Sequence, residues 1–185
     1  LKKKPNRSVL SIIGKAKDIL LVSREQWGAT PPRSVTRLCT PAPMVIIHHT
    51  AEPGPCFTRR QCSRSMRSVQ NTHMNANGWD DIGYNFAVGG DGAVYEGRGW
   101  QNVGAHAAGY NTQSIGIVFI GNFVSALPRA SQMNAAKDLI ALGVNLGYIQ
   151  RDYRLVGHRQ VSATECPGER LFSDIQTWDR FSNVV

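Results

Sequence analysis

Two short runs constrain the fold most. Met44-Val45-Ile46-Ile47-His48-His49 and Ser114-Ile115-Gly116-Ile117-Val118-Phe119-Ile120 carry apolar residues at odd and even positions alike. A strand sends successive side chains to opposite faces, so such a run must be covered on both. That predicts central strands of a layered α/β domain. The intervening segments read as helices and turns. Thr58-Arg59-Arg60-Gln61 has the form of a capping box, with Met66, Val69 and His73 following at helical spacing until Gly78. Tyr84–Val88 reads as a strand, Gly89-Gly90-Asp91-Gly92 as a hairpin turn and Ala93–Glu96 as the return. Ser131 is placed to cap a second helix with Ala135, Ala136, Leu139, Ile140, Gly143 and Val144 as its apolar stripe, stopped by Gly147. Tyr153–Val156 is a short strand, and Pro167-Gly168 opens a third helix with Leu171, Ile175 and Trp178 inward.

At 185 residues the chain suits one domain that buries about two-thirds of its unfolded surface. An apolar share of 42% against 18% charged residues argues against a charge-driven disordered chain. No apolar run approaches the roughly 18 residues that span a bilayer. The balance of 21 Lys and Arg against 13 Asp and Glu, a net charge of +8, favours an anionic partner: nucleic acid, an acidic membrane or an anionic bacterial wall. Nucleic acid is disfavoured, since the chain has no RNP motif, no CxxC finger and no basic helix with interleaved base-reading side chains. Residues 1–20 differ from the rest: Val9, Leu10, Ile12, Ile13, Ala16, Ile19 and Leu20 lie among basic residues. They are expected to form an N-terminal extension docked on a domain spanning 21–185, in preference to a membrane-surface helix. A start at Leu1 rather than Met is read as a processed or truncated product, which leaves any native leader out of view.

The residues able to do chemistry begin with His158 and Cys166, just beyond a short strand, and His48-His49 at the end of a central one. Catalytic zinc takes three protein ligands, His nitrogen and Cys thiolate among them, and keeps one position open. Because neighbouring strand residues face opposite ways, only one of His48 and His49 can join such a site; the other faces elsewhere. Cys56 and Cys62 are close enough for a small disulfide loop, which implies an oxidising compartment, or are two reduced core thiols. Cys39 is free or pairs outside the chain if Cys166 binds metal; a Cys39–Cys166 bond would end the metal reading.

Taken together, VIIHHTA (45–51), GWDDIGYNFAVGGDGAVYEGRGW (78–100), GAHAAGYN (104–111), SIGIVFIGNF (114–123) and GHRQVSATECPG (157–168) resemble the peptidoglycan recognition proteins, insect or other invertebrate members above all, which are related to bacteriophage type-2 amidases. The resemblance covers about residues 20 to 183. It implies an α/β fold with a central mixed β-sheet flanked by about three helices. It also implies a zinc-dependent N-acetylmuramoyl-L-alanine amidase with His48, His158 and Cys166 as metal ligands and Tyr84 and Thr164 as catalytic residues. Zn2+ lowers the pKa of a bound water, Tyr84 steadies the oxyanion, and Thr164, where the phage relatives carry Lys, orients water or a leaving-group proton. The groove residues implied are His49, Thr50, His73, Gly78, Trp79, Tyr84, His106 and Asn111. Gly78-Trp79 and Arg98 resemble devices that select diaminopimelate at the third stem position, whose extra carboxylate a guanidinium can hold through two bonds. The partner is bacterial peptidoglycan or a muropeptide, with a homodimer formed on ligand binding as a further expectation. Secretion is expected from the Cys56, Cys62 pair and from family habit, the alternatives being a receptor ectodomain or a cytosolic sensor in innate immunity. The rival function is a non-catalytic pattern-recognition receptor that signals through dimerisation or a partner; such receptors commonly lose the cysteine or first histidine, and this chain keeps both.

Overall fold

A computed structural model describes residues 19–185. Most of the stretch expected as a docked extension, Val9 to Ala16 included, lies outside the described residues. In chain order the elements are β1 (Leu21–Val22), α1 (Arg24–Trp27), β2 (Ala42–His49), α2 (Arg59–Asn71), β3 (Phe86–Val88), β4 (Val94–Glu96), β5 (Ser114–Phe119), α3 (Ala130–Asn145), β6 (Ile149–Gly157) and α4 (Glu169–Ile175). The strands form one sheet in the order β1-β4-β3-β5-β2-β6, antiparallel only between β3 and β4. The fold is therefore the mixed, helix-flanked α/β sheet anticipated, with the apolar runs of β2 and β5 adjacent at its centre. Among the described residues no helix is long and apolar enough to cross a membrane.

Alternation along β2 sorts the two layers. Val45 and Ile47 join Ile117, Phe119, Leu139 and Leu171 in a core beneath α3 and α4. Met44 and Ile46 point the other way, with Ala107 and Val156. On that same side of β5, Val118 packs with Met66 and Val69 of α2.

Several elements differ from the sequence expectation, each for a visible reason. The additional helix α1 is a single turn held by a full capping box: Gln26 N–H donates to Ser23 Oγ at 3.2 Å and Ser23 N–H donates to Gln26 Oε1 at 2.9 Å. At α2 the Thr58 half of the expected box forms, but Gln61 Oε1 accepts from Phe57 N–H, one residue further out. Below Asn71 the helix widens into a π-helical turn over Thr72–Ala76 before Gly78, at φ 72°, turns the chain. Ser131 does not cap α3: the N-cap is Arg129, with no side-chain bond, and Ser131 packs on the hairpin turn, where a Cβ at Gly92 would lie 3.3 Å from its own. The far end of α3 closes as expected, with Gly147 N–H donating to Val144 O and Tyr148 N–H donating to Gly143 O. Strand β6 is longer than 153–156 because it bulges: Ile149 pairs with Ala42, yet the next partner, Met44, faces Arg154. Trp178 is buried as anticipated but beyond the end of α4, its indole N–H donating to Asp174 Oδ2 at 2.7 Å.

Candidate metal centre and groove

Parallel pairing of β2 with β6 ends at Ile47 opposite Gly157, so His48 and His158 emerge side by side at the carboxyl ends of their strands. Their ring centroids are 4.3 Å apart. The turn leading into α4 brings Cys166 over the end of β2, where its Sγ accepts from His49 N–H at 3.3 Å and lies 3.9 Å from His48 Nδ1. One donor atom from each of His48, His158 and Cys166 falls within 4.8 Å of the others. Tetrahedral zinc with such ligands separates its donors by about 3.5 Å, so a slight contraction fits an ion to this set. Burial pushes the Cys166 thiol up to about 12, and a cation facing Sγ would reverse that and take the thiolate. Burial also holds His48 well below 6.5, so it presents a neutral ring with a lone pair to share. Thr164 stands exposed at the turn, its Oγ1 accepting from Cys166 N–H at 3.1 Å; it braces the thiol-bearing residue. Cys39 is an exposed free thiol and Cys166 is also unbonded, whereas Cys56 and Cys62 form a disulfide.

Tyr84 lies beside the cluster, ring centroid 5.3 Å from that of His48. It precedes the ladder of β3 rather than belonging to it, because Asn85 turns inward and is consumed by backbone bonds. Thr50, Pro53, Val69, Thr72, His73 and Tyr84 line a cleft of about 460 Å3 between α2 and the end of β2. Trp79 extends its wall: the residue is 37% exposed and its ring lies tilted against that of His73, centroids 4.6 Å apart, so it is surface rather than core. Nothing lies within 4 Å of a Cβ built on Gly78, so its positive φ, not crowding, calls for glycine there. His73 Nδ1 accepts from Gly83 N–H, and burial lowers its pKa to about 4.

The remaining expected groove residues are occupied by the fold itself. The His49 ring turns to the α3 side, where Nδ1 accepts from Phe123 N–H. Thr50 Oγ1 donates to Pro53 O and accepts from Gly121 N–H. Asn111 Oδ1 accepts from the N–H groups of His106 and Ala107, which leaves only its amide nitrogen for a ligand. Arg98 donates from Nε to Ile82 O and from Nη1 to Val103 O, and it lines a separate cleft with Arg24, Asp81 and Glu96. His106 is 7% exposed and contacts His48 and Ser114 through its two ring nitrogens, so neither faces the groove. Its role beside a candidate ligand, and the buried hub Asn85, are what sequence reasoning missed; both depend on partners far away along the chain.

Residues 39–169 match the family model for N-acetylmuramoyl-L-alanine amidase. Peptidoglycan-recognition protein LB of Drosophila melanogaster is 51% identical over 164 residues, 89% of this chain and 71% of that protein. The chain belongs to this family, among the peptidoglycan-recognition proteins. The N-acetylmuramoyl-L-alanine amidase of Mus musculus is 43% identical over 87% of this chain, which corresponds to 31% of the mouse protein. A mutant of Drosophila PGRP-LB in complex with tracheal cytotoxin superposes with a TM-score of 0.87 at 50% identity, covering 88% of this chain and 96% of that one. Peptidoglycan recognition protein-LE, bound to the same monomeric diaminopimelic acid-type peptidoglycan, superposes at 0.88 with 45% identity over 89% of this chain and 97% of its own. In this peptidoglycan-recognition protein the helix α2, the end of β2 and the Trp79 wall thus frame a cleft whose Tyr84 side lies against His48, one of the three converging residues.

Proposed function

We propose that this protein is a zinc-dependent N-acetylmuramoyl-L-alanine amidase that binds diaminopimelate-type peptidoglycan and hydrolyses the amide between N-acetylmuramic acid and L-alanine. The observation that carries the reading is the convergence of His48, His158 and Cys166 behind Tyr84, whose ring also lines the groove walled by His73 and Trp79. A zinc ion held by these three residues supplies a Lewis acid and a water acidic enough to attack at neutral pH. The protein's own part is to place and polarise the amide. The stem peptide lies along the cleft under α2, with its scissile carbonyl against Tyr84. Burial raises the Tyr84 pKa, so the phenol stays protonated at neutral pH. Its hydroxyl makes no hydrogen bond among the described residues and is free to donate to the oxygen as charge develops there. Thr164 serves by holding the Cys166 turn, a role that its bond to Cys166 N–H supports and that needs no proton transfer. Diaminopimelate selection rests on Gly78 and Trp79, with Arg98 offering a carboxylate only the guanidinium edge that its two carbonyl bonds leave free, from the neighbouring cleft that it lines. The Cys56–Cys62 disulfide supports action in an oxidising, extracellular setting.

Digestion of purified diaminopimelate-type muropeptide, with and without a zinc chelator and read by mass spectrometry, tests this. The expected result is release of the intact stem peptide, blocked by chelator and restored by zinc. Absence of cleavage by folded, zinc-loaded protein would overturn the enzyme reading and leave a peptidoglycan sensor.

A further inference from the structure

We infer that His106 is a positioning residue for His48, fixing which nitrogen of that ring faces the metal position; the inference rests on the reading of His48, His158 and Cys166 as a metal site. The hydrogen-bond roles propagate from a backbone carbonyl. Ser114 Oγ lies 2.7 Å from Tyr110 O and 3.4 Å from His106 Nε2. A carbonyl only accepts and a serine hydroxyl has one proton, so Ser114 donates to Tyr110 and turns a lone pair to His106. His106 therefore carries its proton on Nε2. Both rings are buried and neither has a carboxylate partner, so each is neutral with one N–H. His106 Nδ1 is then an acceptor, and it lies 2.9 Å from His48 Nε2. The His48 proton sits on Nε2, which leaves Nδ1 bare, and Nδ1 is the nitrogen that faces Cys166 Sγ.

The fold makes room for this ring. A Cβ on either Gly104 or Gly116 would come within 2.5 Å of the His106 imidazole. Asn111 holds the His106 backbone, and the ring meets His48 edge-on with an interplanar angle of 87°. The chain Tyr110 carbonyl, Ser114, His106, His48 thus orients a candidate ligand from behind, as outer partners of metal-bound histidines do.

Zinc affinity, measured by competition with a chromogenic chelator, is compared for the wild type, His106→Leu and His106→Gln. Glutamine can offer its carbonyl to His48 and its amide to Ser114; leucine offers neither. The Leu variant is expected to bind zinc about 10–100-fold more weakly, with Gln recovering most of the loss. A wild type that takes up no zinc would overturn the metal reading and this inference with it. A wild type that binds zinc, matched by an equally tight Leu variant, would overturn the positioning role alone. Should the Leu variant not fold, imidazole 15N shifts of the metal-free wild type decide: protons on Nε2 of both His48 and His106 are expected, and a proton on Nδ1 of His106 would overturn it.

Discussion

Tyr84 lies against the ring of His48 without bonding to any of the three candidate ligands, so its hydroxyl separates metal binding from catalysis. Tyr84→Phe removes one donor and leaves the ring packing in place. Zinc stoichiometry and fold are expected to be unchanged while cleavage falls about 100-fold or more, the usual loss for one oxyanion donor. Initial rates of stem-peptide release, measured beside metal content, check this; full activity in the Phe variant would remove Tyr84 from the mechanism. Thr164 shows how a residue's setting limits its role. The motif places it near the chemistry, but its side-chain oxygen already accepts from Cys166 N–H, a bond that needs both a short hydroxyl side chain and the turn geometry that brings it over that amide.

Among the elements, the short strand β3 depends on the residue before it. Asn85 is fully buried; its Nδ2 donates to the carbonyls of Gly99 and Asn102, and its Oδ1 accepts from Gly116 N–H. One side chain thus joins the loop after β4 to the central strand β5. Asn85→Ala would leave these buried groups unpaired and is expected to destabilise the fold by about 3 kcal/mol, read as a shift in the urea midpoint. A loss below about 1 kcal/mol would show that water replaces the amide. The sequence identified this stretch only as a strand, because a polar residue between Tyr84 and Phe86 fits simple alternation. The disulfide was legible as a close cysteine pair, whereas the π-helical turn of Thr72–Ala76 and the bulge in β6 left no mark in hydrophobic spacing.

Across the whole molecule every histidine is held below its ordinary pKa, in each case through burial first. For His73 the folded value is about 4, against 6.5 for a free side chain. Between these values the unfolded chain binds the proton and the folded chain does not, so stability falls as pH drops from about 6.5 towards 4 and levels off below. His73→Asn keeps an acceptor for Gly83 N–H but cannot titrate. Urea midpoints of the variant are expected to decline less steeply over that window than those of the wild type. Equal slopes would mean that His73 titrates normally in the folded protein.

What the sequence determined alone is what depends on local order. Double-faced apolar runs require covered central strands, and adjacent residues of one strand cannot share a face, so His48 and His49 had to part. The two histidines at strand ends, and the cysteine in the segment that follows the last strand, were likewise visible as candidates. The tertiary structure decided which groups meet. His106 reaches His48 across 58 residues, and Cys166 reaches His49 N–H across 117. Sheet register and loop packing set those distances, and no spacing along the chain encodes them. For the same reason His106, Thr50 and Asn111, which the motif assigns to the ligand, have their main polar atoms engaged in holding the site together.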